Sequence, residues 1–448
     1  MAEFPVYYET RRVGTIESHE DGPSFVYDPA WLRTRGAFPL SILMPLSPRR
    51  VPPRVFAPWA ANLLPEAGQL QMVGRRLGAD PGDTIAILAE IGRDTAGALS
   101  IGHPGPSNPG GWRAVPNAAA LERIIEELPS KPFLVGEDGV SMSLAGVQNK
   151  LGVAVDAKGQ ICIPRDGAPS THILKPDPDK LFGGVQNEAL CLTLARRLGL
   201  NVPSLITTGK AGKRTYLLVT RYDRVEQGGR WRRLHQEDFC QALGKPPTAK
   251  YESNQSGVKG PTLADMFALT RNAMRAPDVL ALLDRVVFNV LACNTDAHAK
   301  NYSLMISGRG FELAPIYDVM CTTYYDGQQG RRAVDTQLGM FIADKTDILT
   351  VTADDLVAEA RAWGMQSATA RDTVSSLAAH IAAAIDDTVD QLGFEVPAAL
   401  IEREQRVAKR HHAEAPHGAH RLHVVGEARH DVAGGVLAVV AGRQRHRV

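Results

Sequence analysis

The stretch that most constrains this chain runs from Asn294 to Asp318. It follows an apolar run, Val286-Val287-Phe288-Asn289-Val290-Leu291, whose pattern begins at Leu280, Leu282 and Leu283; that spacing predicts a buried helix ending near Asn294. Tyr302–Ile306 and Phe311–Tyr317 read as two strands, with Ser307-Gly308-Arg309-Gly310 as the hairpin loop between them. Pairing Ile306 with Phe311 sets Asn301 opposite Ile316 and brings Asp318 close by. A helix end and a hairpin then gather Asp296, Asn301 and Asp318 around one small volume. A phosphoryl-transfer site needs such a set: a carboxylate to orient the acceptor hydroxyl, and an amide with a second carboxylate to hold Mg²⁺ on the phosphates. Protein kinases place the first Asp five residues before the Asn, as Asp296 and Asn301 are placed here, and the second Asp after a strand pair. Taken alone, Asp-x-x-x-x-Asn also suits a polar loop capping a helix.

The chain has 448 residues, room for two or three domains. Its net charge of +1 carries no bulk signature of a nucleic-acid binder. No apolar run approaches the ~18 residues that span a bilayer, and the start, Met-Ala-Glu-Phe-Pro-Val, does not resemble a secretion signal. Cys162, Cys191, Cys240, Cys293 and Cys321 are scattered, which fits reduced thiols in a cytoplasm.

Upstream, Val6–Tyr8, Val13–Ile16 and Ser24–Tyr27 read as short strands. Pro45 to Pro58 is expected to be irregular because proline removes backbone donors. Helical patterns follow at Ala60–Leu64, Gln69–Leu77 and Thr84–Ile91, and this first unit reads as a docking or scaffold region. The turn-rich His103–Gly111 is the best linker candidate, followed by a helix with Leu121, Ile124, Ile125 and Leu128 inward. Ser141-Met142-Ser143-Leu144-Ala145-Gly146-Val147-Gln148-Asn149-Lys150 then feeds a hairpin of Leu151–Val155 and Gln160–Ile163. A loop of small residues lets backbone N–H groups approach phosphates, although with one glycine it equally suits a plain turn. Lys175 ends a strand beginning at Thr171, as in kinases whose strand lysine meets the nucleotide phosphates and a helix glutamate. Glu188, in the first turn of the next helix, suits that pairing or a favourable place on the helix dipole. Residues 177–187 read as a mobile loop, Thr215–Tyr222 as an interior strand, Leu234–Leu243 as a helix, and residues 262–392 as mainly helical.

Taken together, Ser143–Lys150, Thr171–Lys175, Asn187-Glu188, Arg221–Arg224, His235–Gly244, Asn294–Asn301 and Pro315–Asp318 resemble HipA-family toxins, serine/threonine kinases of type II toxin–antitoxin modules. Leu64-Pro65-Glu66 and Ile91–Leu99 are similar to that family's amino-terminal subdomain, and the likeness covers residues 1 to about 400 in order. The resemblance implies an α+β, two-lobed protein-kinase-like (phosphoinositide-kinase-like) fold with an added small β/α N-terminal subdomain and a mainly helical C-terminal lobe. The expected divisions are 1–110, 111–255 with phosphate loop and hinge, 256–408 with the catalytic and metal-binding segment, and a disordered basic tail over 409–448. It implies ATP and Mg²⁺ as cofactors. By position, Ala145, Gly146, Val147, Gln148, Asn149 and Lys150 form the phosphate loop, Lys175 meets the phosphates, and Thr220, Arg221 and Tyr222 form the hinge. Asp296 is the catalytic base, Asn301 and Asp318 are metal ligands, and His298, Lys300 and Tyr317 line the nucleotide pocket. Ser143 matches a serine whose autophosphorylation ejects the loop and silences the enzyme. The implied partners are an aminoacyl-tRNA synthetase as protein substrate, a helix-turn-helix antitoxin of the HipB type, DNA through that antitoxin, and no membrane. Two features depart from the family: Tyr222 stands where Phe is frequent, and seven of the 13 histidines fall in residues 411–446. That tail also admits a metal-binding tract. The competing functions are a kinase-like transferase with a small-molecule acceptor, a non-catalytic co-repressor, and a hydrolase using His298 and Asp296 as metal ligands.

Overall fold

The computed structural model describes residues 2–105, 111–178, 183–325, 336–392 and 396–414. The first unit is an antiparallel sheet of β1 (Ala2–Tyr8), β2 (Arg11–His19) and β3 (Gly22–Tyr27), joined on the far edge of β1 by β4 (Leu99–Ile101). Between β3 and β4 lie four helices, α1 (Pro29–Leu32), α2 (Pro53–Ala61), α3 (Ala67–Leu77) and α4 (Thr84–Ile91). The stretch expected to be irregular is thus helical from Pro53. Pro52 caps that helix and Pro53 occupies its first turn, where no intrahelical donor is needed. Pro58 lies inside the helix and removes one hydrogen bond, a tolerable loss where Phe56, Trp59 and Ala60 are buried.

The second sheet is six-stranded and antiparallel, in the order β5-β7-β6-β8-β10-β9. Its strands are β5 (Trp112–Ala114), β6 (Leu151–Val155), β7 (Ile161–Pro164), β8 (His172–Pro176), β9 (Ile206–Ala211) and β10 (Arg214–Thr220). Helices α5 (Ala118–Glu127) and α6 (Gly184–Arg197) both meet β9. The centre of β10 is buried, as its continuous apolar sequence predicts. Helix α6 opens at Gly184, inside the stretch expected to be a mobile loop; residues 179–182 of that stretch lie outside the described residues, as do 106–110 of the linker candidate.

A hairpin of β11 (Arg224–Gln227) and β12 (Arg230–Arg233) leads to β13 (His235–Asp238) and the short α7 (Phe239–Ala242). The expected single helix over Leu234–Leu243 is therefore a strand followed by one helical turn. Every β13 residue is buried, and each polar side chain has a distant partner that local periodicity cannot reveal. His235 reaches Leu40 O, Gln236 meets Tyr222, Glu237 accepts from Ile42 N–H, and Asp238 holds Lys300.

Helices α8 (Leu263–Ala273) and α9 (Ala276–Leu291) come next, then β14 (Ser303–Ser307) and β15 (Gly310–Leu313), with β13 and β14 paired. Ile306 pairs with Phe311 as expected, but the ladder stops at Leu304–Leu313. Asn301 and Ile316 are not paired, because Ile316 N–H turns to Asn201 O. After β16 (Gln337–Ile342) and β17 (Lys345–Asp347), helices α10 (Ala353–Ala362), α11 (Ser367–Leu392) and α12 (Ala398–Glu414) close the helical half. Helix α11 lies against α6, α9, α10 and α12. Helix α12 runs into the first residues of the tail expected to be disordered; the rest of that tail, from 415, and residues 326–335 lie outside the described residues. The α+β class read from the sequence is the class observed, and among the described residues no helix is long and apolar enough to cross a membrane.

Glu237 yields a pH prediction. It is fully buried, its Oε2 has no partner among the described residues, and burial pushes its carboxyl up to about 8. The folded state therefore keeps a proton that the unfolded chain releases near its ordinary value of 4.5. This group's contribution is full below that value and is lost as pH rises through about 8. Between about pH 5.5 and 7.5, above the unfolded carboxyl's titration and below the folded one's, this group alone contributes a slope that approaches ~1.4 kcal/mol per pH unit, while the histidine contribution is common to wild type and variant. Glu237→Gln should flatten the decline of denaturation midpoint over that range; equal slopes for the two proteins would refute the assignment.

Candidate functional site

A cavity of about 780 Å³ opens between the second sheet and the helical half, with residues of the first unit on one wall. Its floor is set by the end of α9. Cys293 N–H bonds Val290 O at 3.0 Å and Asn294 N–H bonds Asn289 O at 2.8 Å, a left-handed helix stop with Cys293 at φ 51°. That stop launches the Thr295–Asn301 loop. His298 N–H returns to Asp296 O and Asn301 N–H to His298 O, both at 2.8 Å, and the Asn301 side-chain amide donates to Asp296 O at 2.7 Å. The Asp296 side chain opens to the cleft, where its Oδ1 accepts the Tyr251 hydroxyl at 2.5 Å. The protein around it limits hydration and raises its carboxyl, against the pull of the Tyr251 bond, and the nearby Asp318 charge adds to the rise.

Lys175 is the electrostatic centre. From β8 its Nζ donates to Glu188 Oε1 at 2.6 Å and to Asp318 Oδ1 at 2.8 Å. Burial works to lower its pKa, but the two carboxylates outweigh it and hold the ammonium charged. Burial likewise works to raise Asp318, which Lys175 and Lys150 more than offset, so that carboxyl stays below its ordinary range. Asp318 is held at φ 59°, a backbone region uncommon for a residue other than glycine. Glu188 is pushed up by its burial and then by Asp318, with Lys175 opposing.

The Ala145–Lys150 loop covers the lysines. Lys150 Nζ, buried, donates to Ala145 O at 2.8 Å. Gly146 sits at φ +109°, a backbone region that favours glycine, and a Cβ there would come within 2.6 Å of the flexible end of Lys150. The loop is docked on the first unit: Glu66 N–H donates to Gly146 O, Gln69 Nε2 to Val147 O and Asn149 Oδ1, and Gln148 lines the cavity beside them. Ser143, just before the loop, is fully buried, with its hydroxyl on Leu63 O at 2.6 Å and its N–H on Asp94 O at 3.0 Å.

On the opposite side Tyr222 and Tyr317 stack with centroids 5.7 Å apart. Tyr222 donates to Gln236 Oε1 and Tyr317 to Lys300 O. Thr220 and Arg221 border the cavity at the end of β10. The Arg221 guanidinium, however, is committed to Asp223 at 2.7 Å and Thr95 O at 2.8 Å, and its backbone N–H donates to Thr171 O at 2.9 Å. Lys300 is held by Asp238 and Asn62, each at 2.7 Å. His298 packs edge-on against Tyr251; burial, with Lys250 nearby, drives its pKa well down, so the ring is neutral, and its buried Nδ1 has no partner among the described residues.

All the residues singled out from the sequence except Ser143 border this cavity, and Ser143 precedes its loop. Several others were missed: Asn62 and Glu66 of the first unit, Asp238, Lys250 and Tyr251. Lys250 pairs with Glu66 at 2.7 Å, so the supposed scaffold unit reaches the cleft. Glu66 stands in the Leu64-Pro65-Glu66 segment already noted, but nothing local shows that it faces Lys250. Two buried lysines under a glycine loop, with carboxylates opposite, form an arrangement suited to holding a polyphosphate beside a base.

The family model described as HipA N-terminal domain matches residues 4–102, and the model described as HipA-like C-terminal domain matches residues 142–386. The chain is 34% identical to "Putative kinase Y4mE" of Sinorhizobium fredii, over 86% of this chain and 92% of that protein. It is 30% identical to "Serine/threonine-protein kinase toxin HipA" of Shewanella oneidensis, over 79% of this chain and 82% of that protein. A chain in the solved complex of the Shewanella oneidensis MR-1 toxin–antitoxin system HipA, HipB and its operator DNA superposes with a TM-score of 0.77 at 26% identity, covering 92% of this chain and 96% of that one.

Proposed function

The chain belongs to the HipA family, and on that premise we propose that it is an ATP- and Mg²⁺-dependent serine/threonine protein kinase, the toxin of a toxin–antitoxin pair. The observation that carries this reading is Lys175, bonded at once to Glu188 and Asp318 within the cleft that also holds Asp296 and Asn301. Magnesium-bound ATP, when present, supplies the transferred phosphoryl group and the divalent charge that balances it. The residues fit that ligand. Lys150 and Lys175 offer two cations to its phosphates, and the stacked Tyr222 and Tyr317 offer an aromatic wall to its base. Asn301 donates through its amide nitrogen, which leaves the amide oxygen to join the Asp318 carboxylate as a Mg²⁺ ligand. Thr220 to Tyr222 serve as the hinge.

Asp296 orients the acceptor hydroxyl and takes its proton. Tyr251 occupies its Oδ1, so Oδ2 is the oxygen that receives the proton, and the raised carboxyl strengthens the base. Ser143 becomes an acceptor only when the loop leaves Leu63 and Asp94. A phosphate there carries roughly −1.5 to −2 charges into the place of the nucleotide phosphates, which silences the enzyme. The proposed acceptor is an aminoacyl-tRNA synthetase, and the proposed antitoxin is a helix-turn-helix protein of the HipB type that links the pair to DNA. Expression in a growing culture tests the reading: the wild-type chain should arrest growth, Asp296→Ala should not, and unchanged arrest by folded Asp296→Ala would exclude it.

Gly146→Ala forces a Cβ into the Lys150 path at a backbone angle that L-residues avoid. A penalty of about 1–3 kcal/mol for that sparsely populated backbone corresponds to roughly 5- to 150-fold weaker nucleotide binding. Titration calorimetry with ATP should find that loss, and undiminished affinity would remove the loop from the phosphate site.

A further inference from the structure

The segment just beyond Asp318 is tied to the rest of the site by two side chains that no step above uses. Thr322 Oγ1 donates to Cys293 O at 2.8 Å and accepts from Thr295 N–H at 3.0 Å. It also lies 2.8 Å from Thr295 Oγ1, which must be the donor of that pair because the Thr322 hydrogen is spent on Cys293. The Thr322 backbone N–H goes to the same Cys293 carbonyl at 3.1 Å. A hydroxyl has one donor and two lone pairs, and all three are used. Such a group is saturated, so it works as a fastener and not as a ligand. Its neighbour is fastened in a different direction: the fully buried Asn187 donates to Cys321 O at 3.0 Å and accepts from Cys321 N–H at 2.8 Å. Asn187 precedes Glu188 on α6, and Thr295 precedes Asp296.

The chain between Asp318 and Thr322 is therefore clamped on one side to the helix of Glu188 and on the other to the loop of Asp296. The two left-handed residues Cys293 (φ 51°) and Asp318 (φ 59°) flank this bracket. Conformations of that kind persist where the surroundings over-determine them, and the Thr322 bonds grip the Cys293 carbonyl itself. We propose that Thr322, backed by Asn187, is a positioning pair that sets Asp296 and Asp318 relative to each other and to Glu188. This rests on the reading of Asp296 as base and Asp318 as metal ligand. Neither Thr322 nor Asn187 touches the nucleotide space, so their effect falls on alignment at the transition state.

The test uses steady-state kinase assays on the full chain. Thr322→Val keeps the shape and removes all three side-chain bonds. A misplacement of about 1 Å costs on the order of 100-fold in rate, so kcat should fall by about 10- to 100-fold while KM for ATP stays near the wild-type value. Thr322→Ser, which restores the hydroxyl, should recover most of the rate. Wild-type kcat in Thr322→Val, or a Thr322→Ser as slow as Thr322→Val, would overturn the proposal. Should Thr322→Val not accumulate as folded protein, Asn187→Ala carries the same expected split between kcat and KM, and its absence counts equally against the pair. Asp296→Asn run in parallel separates the two levels. An active Asp296→Asn sinks the base assignment and the bracket with it, whereas an inert Asp296→Asn beside a fully active Thr322→Val sinks the bracket alone.

Discussion

Replacing Asp296 with asparagine is expected to lower the rate of phosphate transfer to protein by about two to four orders of magnitude and to leave KM for ATP near its wild-type value. The substitution is nearly isosteric. Tyr251 can still donate to the side-chain oxygen it now meets at 2.5 Å, and the Asn301 amide still reaches the backbone carbonyl of residue 296. The loop is therefore expected to be retained, and what disappears is the group proposed to accept the hydroxyl proton. An amide has no basic oxygen to offer, so the barrier rises in the chemical step and not in binding. Steady-state kinetics with a denaturation curve on the same preparation checks this. An unfolded variant would show in the curve, and a folded variant with wild-type kcat would mean that Asp296 is only a loop-capping residue.

Asp94→Asn is expected to destabilise the fold by about 3–5 kcal/mol, the range for breaking a buried pair by removing one partner. Asp94 Oδ1 meets Arg224 at 2.8 Å and Arg233 at 3.2 Å, and Oδ2 accepts Ser170 N–H and hydroxyl with Arg221 at 3.8 Å. Asp223 is the other acid in this buried group. Without the Asp94 charge, three guanidinium groups face one carboxylate away from water. Burial works to raise the Asp94 pKa, but Arg224, Arg233 and Arg221 prevail and hold it below the ordinary 3.8. A depressed carboxyl contributes stability that is present above its unfolded pKa and lost as pH falls through the folded one. The difference between wild type and variant should therefore be constant near neutrality and shrink only in strong acid. Urea midpoints at pH 7 and at low pH measure it; midpoints that coincide at pH 7 would show that the cluster contributes nothing net. The cluster also ties the first unit, through Thr95 and Gly97, to Arg221, just past β10, and to Arg224, at the start of β11. The same variant should thus loosen the wall that carries Ser143.

Local signals were enough where chemistry and period coincide. The α9 run, the Asp296–Asn301 spacing and the Ile306–Phe311 pairing were legible because each depends on neighbours in sequence. Lys175 and Glu188 could be matched because a strand lysine and the next helix are close in chain order. What failed was long-range. His235–Asp238 is a buried strand whose polar groups are satisfied by Leu40, Tyr222, Ile42 and Lys300, and a pattern of alternating polarity cannot announce such partners. Asn62 and Glu66 looked like scaffold because Lys300 and Lys250, which they hold, lie far along the chain. Pro53 and Pro58 argued against a helix by propensity, and the burial of Phe56 and Trp59 overrode them.

The account stands most directly on where the terminal phosphate of ATP goes. With γ-labelled ATP, Mg²⁺ and a lysate, the wild-type chain should place acid-stable label on serine or threonine of protein, and Asp296→Asn should place almost none. Label found only in small molecules, or equal protein labelling by wild type and Asp296→Asn, would contradict it.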